Sequence, residues 1–105
     1  MMIPKHTRIE MPKLRRSAKV APYCFGCKAY NNGDCVLAHA NWSEYHKGKG
    51  IKVSDVFGAI LCNECHNFVD NRVPGNGTTI ERKELWLRAH IETLYWWVMT
   101  GQLRT

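Results

Sequence analysis

No run of twenty apolar residues occurs anywhere in this 105-residue chain, so no membrane-spanning helix is expected. The basic N-terminus lacks a continuous apolar core behind it and does not read as a secretory signal. Acids are scarce: nine Asp and Glu face fifteen Lys and Arg, a net charge of +6. That balance argues against a small neutral substrate and for a polyanionic partner. Residues 1–19 carry Lys5, Arg8, Lys13, Arg15, Arg16 and Lys19 against one acid, Glu10. There is no internal repeat, no low-complexity segment and no pattern of a recognition helix with base-reading side chains. Without an export signal, the five cysteines are expected in a reducing cytoplasm, where paired cysteines favour a metal over a disulfide.

Four of the five cysteines form two CxxC pairs, Cys24/Cys27 and Cys62/Cys65, with 34 residues between them. The two-residue spacing turns both thiolates of a pair onto one ion, and two pairs complete a Cys₄ tetrahedron for structural zinc. A chain of this size buries only a modest core, so the ion would contribute to folding on the order of 10 kcal/mol. Cys35 is left as a free thiol. Immediately after the second pair come His66 and, four residues on, Asp70. On a helix starting at the knuckle both fall on one face, where they could hold a second, harder cation.

Residues 1–20, with Pro4 and Pro12 and little periodicity, read as an extended basic arm or a short strand. Asn31-Asn32-Gly33-Asp34 is a turn signal. Cys35 to His39 and Val56 to Leu61 read as short strands, the second weakened by Gly58. The polar stretch from Asn41 to Asp55, with Lys47-Gly48-Lys49-Gly50, reads as a loop. A helix follows the Cys62 knuckle to about Asn71. Thr78 and Thr79 ahead of Glu81 and Glu84 mark the start of a last helix, with an apolar stripe of Leu87, Ile91, Leu94 and Val98 and a stop at Gly101. Trp86, Trp96 and Trp97 point to more than one side of it, most simply for packing.

The order strand, loop, strand, knuckle, helix, with a histidine closing the first strand and another in the helix, resembles the HNH (ββα-metal) endonucleases. The resemblance spans about Cys24 to Arg72. More narrowly, Val36-Leu37-Ala38-His39, the segment from Gly48 to Asp55, and Leu61-Cys62-x-x-Cys65-His66-x-x-x-Asp70 are similar to the YbcO-type nucleases of phages and prophages. The resemblance implies an α+β fold with a zinc-stapled ββα-metal core over residues 21–73, flanked by the arm (1–20) and a C-terminal amphipathic helix (74–105). It implies that His39 is the general base that activates water, and that His66 and Asp70 hold a catalytic divalent ion, most simply Mg²⁺. The setting it implies is a bacterial host cell.

Two departures stand out. Ala38 occupies the position before the base, where many members carry a metal ligand, and Phe57 stands where a middle asparagine is usual. Asp55, Asn41 or His46 could complete the site, and Asp55 is preferred because a carboxylate restores the missing anionic ligand. Lys47, Lys49 and Lys52, with Arg15 and Arg16, are the candidate phosphate contacts, which carry little sequence information and imply steep salt dependence. The expected function is therefore metal-dependent cleavage of DNA with low sequence specificity, as a monomer or a homodimer. The alternative is a non-catalytic zinc module that binds nucleic acid, and a third reading is an adaptor docking through the tryptophan-rich helix.

Overall fold

The structure, a computed structural model, describes residues 10–40, 54–72 and 77–103. Its elements are α1 (Pro12–Ser17), β1 (Val36–His39), β2 (Gly58–Leu61), α2 (Asn63–Val69) and α3 (Thr79–Met99). The expected loop residues Asn41, His46, Lys47, Lys49 and Lys52 lie outside the described residues.

The arm expected to be extended carries a helical turn and a half instead. Pro12 sits at its start, where a fixed φ favours the helix and a missing N–H costs nothing. Leu14, Ser17 and Ala18 then recur at helical spacing and bury one face. Asn31 fastens this segment from below. Its amide nitrogen donates to the carbonyls of Ala18 and Ala21, while its carbonyl oxygen accepts from the N–H groups of Gly33 and Cys35.

Strands β1 and β2 pair antiparallel with Val36 opposite Leu61 and His39 opposite Gly58. This register puts His39 and Cys62 at opposite ends of the strand pair. Gly58 is required rather than merely tolerated, because a Cβ there would lie 2.5 Å from the Leu37 side chain. Among the described residues, no third strand pairs with the outer edge of β2. Its Ile60 N–H donates to Thr93 Oγ1 at 3.0 Å, its Ile60 carbonyl accepts from Phe25 N–H, and its Gly58 carbonyl accepts from His90 Nδ1 at 2.7 Å. Side chains of α3 thus cover a strand edge that would otherwise be open to other chains.

A capping box starts α3: Thr78 Oγ1 accepts from Glu81 N–H and Glu81 returns the bond to Thr78 N–H. The face it buries is Trp86, Ala89, His90, Thr93 and Trp97, not the expected stripe. Small residues in the middle let the helix approach β2, and the flanking tryptophans fill the ends. Their indole N–H groups find acceptors on other elements, Trp86 on Ala38 O and Trp97 on Ser17 Oγ, each at 2.8 Å. Leu87, Ile91 and Val98 are exposed. No helix among the described residues is long and apolar enough to cross a membrane.

Candidate functional site

The first knuckle is a tight hairpin, with Tyr23 bridged to Tyr30 and Cys24 N–H donating to Ala29 O. Lys28 turns the chain with a left-handed φ of 68°. Gly26 suits a close approach, since a Cβ would stand 2.9 Å from Leu61 Cδ2 and 3.1 Å from Cys65 Sγ and would push on both. Phe25 N–H binds Ile60 O, which sets this knuckle against the end of β2 where the second one begins. Lys28 Nζ also pairs with Glu92 of α3 and lies over the Tyr23 ring, so the outside of the knuckle is fixed as well.

The four sulfurs of Cys24, Cys27, Cys62 and Cys65 lie within 4.8 Å of one another. Sulfurs about 2.3 Å from one zinc ion would be about 3.8 Å apart; those of Cys27 and Cys62 are 3.7 Å apart. Cys24 Sγ accepts from Cys65 and, at 3.3–3.4 Å, from the backbone N–H groups of Gly26, Cys27 and Cys62. Together these bonds overcome burial and bring its thiol down to about 4. Cys65, the donor in that bond, is raised for the same reason, with burial adding to it. A preformed thiolate with donors already aimed at it is what a zinc ion needs, and the residues fit the ion. Cys35 lies outside the group, buried, with burial pushing its thiol up to about 11.

At the other end of the strands, His39 Nε2 and Asp55 Oδ1 are 2.8 Å apart. Asp55 is fully buried, and its second oxygen accepts from Met11 N–H at 2.6 Å, with Arg15 Nε 3.7 Å away. Burial opposes ionisation of this carboxyl, but the bonds from Met11 and His39 and the Arg15 charge outweigh it and lower its pKa. An ionised Asp55 makes Nε2 of a neutral His39 the donor, which leaves the lone pair on Nδ1. The oxygens of Asp55, the preferred residue to complete the site, face His39 and the N-terminal segment, an arrangement suited to fixing a tautomer.

His66 and Asp70 do share a face of α2, with His66 Nε2 3.1 Å from Asp70 Oδ2. Asp70 caps the helix, and Asn71, with a φ of 54°, ends it slightly earlier than expected. Arg72, absent from the sequence-based candidates, places NH2 3.1 Å from the same Asp70 oxygen. Its only signal in the sequence was its position two residues after the aspartate. Among the described residues, the four cysteines are the one group of three or more candidate ligands whose donor atoms converge. His66 and Asp70 make a pair, and His39 with Asp55 makes another. Arg15 and Arg16 are exposed on the last turn of α1, with Arg15 directed at Asp55.

No family model matches the chain, and no curated protein matches it. Among solved structures, it is similar to that of "a putative bacteriophage protein from Escherichia coli str. K-12 substr. MG1655", with a TM-score of 0.62 and 22% identity. The match covers 85% of this chain and 100% of the other. At that identity the likeness shows a shared fold.

Proposed function

We propose that this chain is a zinc-stapled, HNH-type endonuclease that hydrolyses DNA phosphodiester bonds, encoded by a phage or prophage. The observation that carries the reading is the His39–Asp55 pair. A buried carboxylate orients an imidazole at the end of β1, on the same strand pair to which α2 is stapled. That is how a general base is built: one nitrogen fixed, the other holding the lone pair.

In this reading His39 Nδ1 takes a proton from water as the water oxygen bonds to phosphorus, and the 3′ oxygen departs. His66 and Asp70 would hold a divalent ion through one nitrogen and one carboxylate. When bound, that ion supplies Lewis-acid stabilisation of the charge on phosphorus and on the leaving oxygen. Magnesium is commonly held by only one or two protein carboxylates, so a site of two protein ligands would be in keeping with such an ion. The lengths of the elements are compatible with this. From Gly58 to Leu61 β2 advances about 10 Å, and α2 is about 10 Å long, so α2 is long enough to span the strand pair. Arg72 would release Asp70 to the ion and take a phosphate oxygen instead. Arg15, Arg16 and the lysines of 47–52 supply further phosphate contacts.

Zinc-loaded protein incubated with supercoiled plasmid and Mg²⁺ or Mn²⁺ is expected to nick or cut it. His39→Ala is expected to lower the rate by about 10²-fold or more. No cleavage by the wild type, or equal cleavage by the variant, would refute the proposal.

One observation favours a second reading, a non-catalytic zinc module binding nucleic acid: Arg72 already neutralises Asp70. Calorimetric titration of zinc-loaded protein with Mn²⁺ separates the two. The module binds no second ion, whereas the nuclease binds one that Asp70→Ala weakens.

A further inference from the structure

Apart from Leu94, which packs partly against the core, the apolar stripe on α3 stays out of the core of its own chain, and we infer that it is the seam of an antiparallel homodimer. Ile80, Leu87, Ile91 and Val98 are 40–77% exposed, as are Tyr95 and Met99 beside them. At 100° per residue, this stripe lies about a third of a turn from the face that holds Trp86, Ala89 and Trp97. The exposed parts of these six side chains amount to roughly 700 Å², more than a monomer ordinarily leaves in one patch. That is close to the approximately 800 Å² per partner of a standard interface.

A second copy of the chain is the occupant the spacing fits. Ile80, Glu84, Leu87, Ile91, Leu94 and Val98 are separated by four, three, four, three and four residues, the a/d alternation of a two-helix seam. The series reads the same in both directions about position 89. An antiparallel pair therefore sets Ile80 against Val98 of the second copy and Leu87 against its Ile91, twice over by the two-fold axis. Charge selects the orientation. A parallel pair would bury Glu84 against Glu84. The antiparallel pair instead puts Glu84 opposite Leu94, with its carboxylate at the rim near Tyr95. Arg88 is drawn off the seam toward the Gly26 carbonyl.

The test is sedimentation equilibrium of the zinc-loaded full chain, with no DNA and no activity readout, so its outcome is separate from that of the nuclease proposal. The wild type is expected to dimerise in the micromolar range. Leu87→Glu and Ile91→Lys, each made alone, are expected to weaken association by at least about tenfold. Because both residues are exposed, the circular dichroism spectrum should keep its wild-type shape, and the melting temperature should match the wild type when both are measured at concentrations low enough for the wild type to be monomeric. Combining the two substitutions is expected to restore association, because position 87 of each copy then faces the opposite charge at position 91 of the other. A wild type that stays monomeric at about 100 μM, whether the stripe is covered by the chain's own residues or by another molecule, overturns the inference. A Leu87→Glu variant that associates like the wild type also overturns it. A combined variant no tighter than the single ones overturns the antiparallel seam.

Discussion

Asp55 shows what one carboxylate contributes by being dry. With one oxygen on His39 and the other on Met11 N–H, it holds the N-terminal segment and the candidate base with the same group. Asp55→Asn keeps the shape but removes the charge that determines which imidazole nitrogen carries the proton. Its plasmid-cleavage rate is expected to fall at least about tenfold, and an unchanged rate would mean that the tautomer does not matter. His90 makes a different demand. Burial lowers its pKa below the ordinary 6.5, against an opposing bond to Gly58 O. Below about pH 6.5 the unfolded chain takes up a proton that the folded chain refuses, so folding stability falls as pH drops through that range. The His90→Gln amide can still donate to Gly58 and escapes this part of the loss. Melts at about pH 7.5 and about pH 5.5 in excess zinc should show a smaller drop for the variant than for the wild type; equal drops would contradict it. Both knuckles and the shared helix face of His66 and Asp70 are legible in the sequence because they lie in fixed local spacings. Neither the pairing of His39 with Asp55 nor that of Arg72 with Asp70 is legible, because a contact across 16 residues, or one ion pair among the several a long side chain could make, leaves no periodic trace.

At the scale of elements, short strands and a capped helix follow directly from pattern. The turn at Asn31–Asp34, the strands ending at His39 and Leu61 and the start of α3 at Thr78 all stand where sequence pattern puts them. Two elements do not follow. Helix α1 is too short for a period to register, and only its packing reveals it. The buried face of α3 is hidden because it is made of Ala89, His90 and Thr93, residues of low apolarity, between two tryptophans. A stripe of Leu, Ile and Val outweighs them in any count of apolarity, yet polar groups are what an open strand edge needs. Thr93 is therefore more than filler. Thr93→Val preserves volume and leaves the Ile60 N–H without an acceptor, which is expected to cost about 1–3 kcal/mol in urea unfolding. Thr78→Ala, which removes the cap of the same helix, is expected to cost about 1 kcal/mol. A Thr93→Val variant as stable as the wild type would show that the edge is satisfied in another way.

For the whole molecule, the four-cysteine cluster and the His39–Asp55 pair stand at the two ends of one small sheet, and the proposed reading assigns the first to structure and the second to chemistry. A Cys₄ zinc site contributes on the order of 10 kcal/mol, comparable to the entire stability of a domain of this size. Metal analysis is expected to give one zinc per chain, and chelation to abolish the cooperative thermal transition. Cys65→Ala should behave like the chelated protein, whereas Cys35→Ala should retain the metal. Zinc retained by Cys65→Ala at full stability would separate the cluster from the fold.

The proposed chemistry comes down to whether a single divalent ion sits within reach of His39 and His66 together. Mn²⁺ added in small amounts to zinc-loaded protein broadens the NMR signals of nuclei near it. Both imidazoles should broaden together, and Asp70→Ala should abolish the effect on both. Broadening of His66 while His39 stays sharp, or of neither, would contradict a shared hydrolytic site.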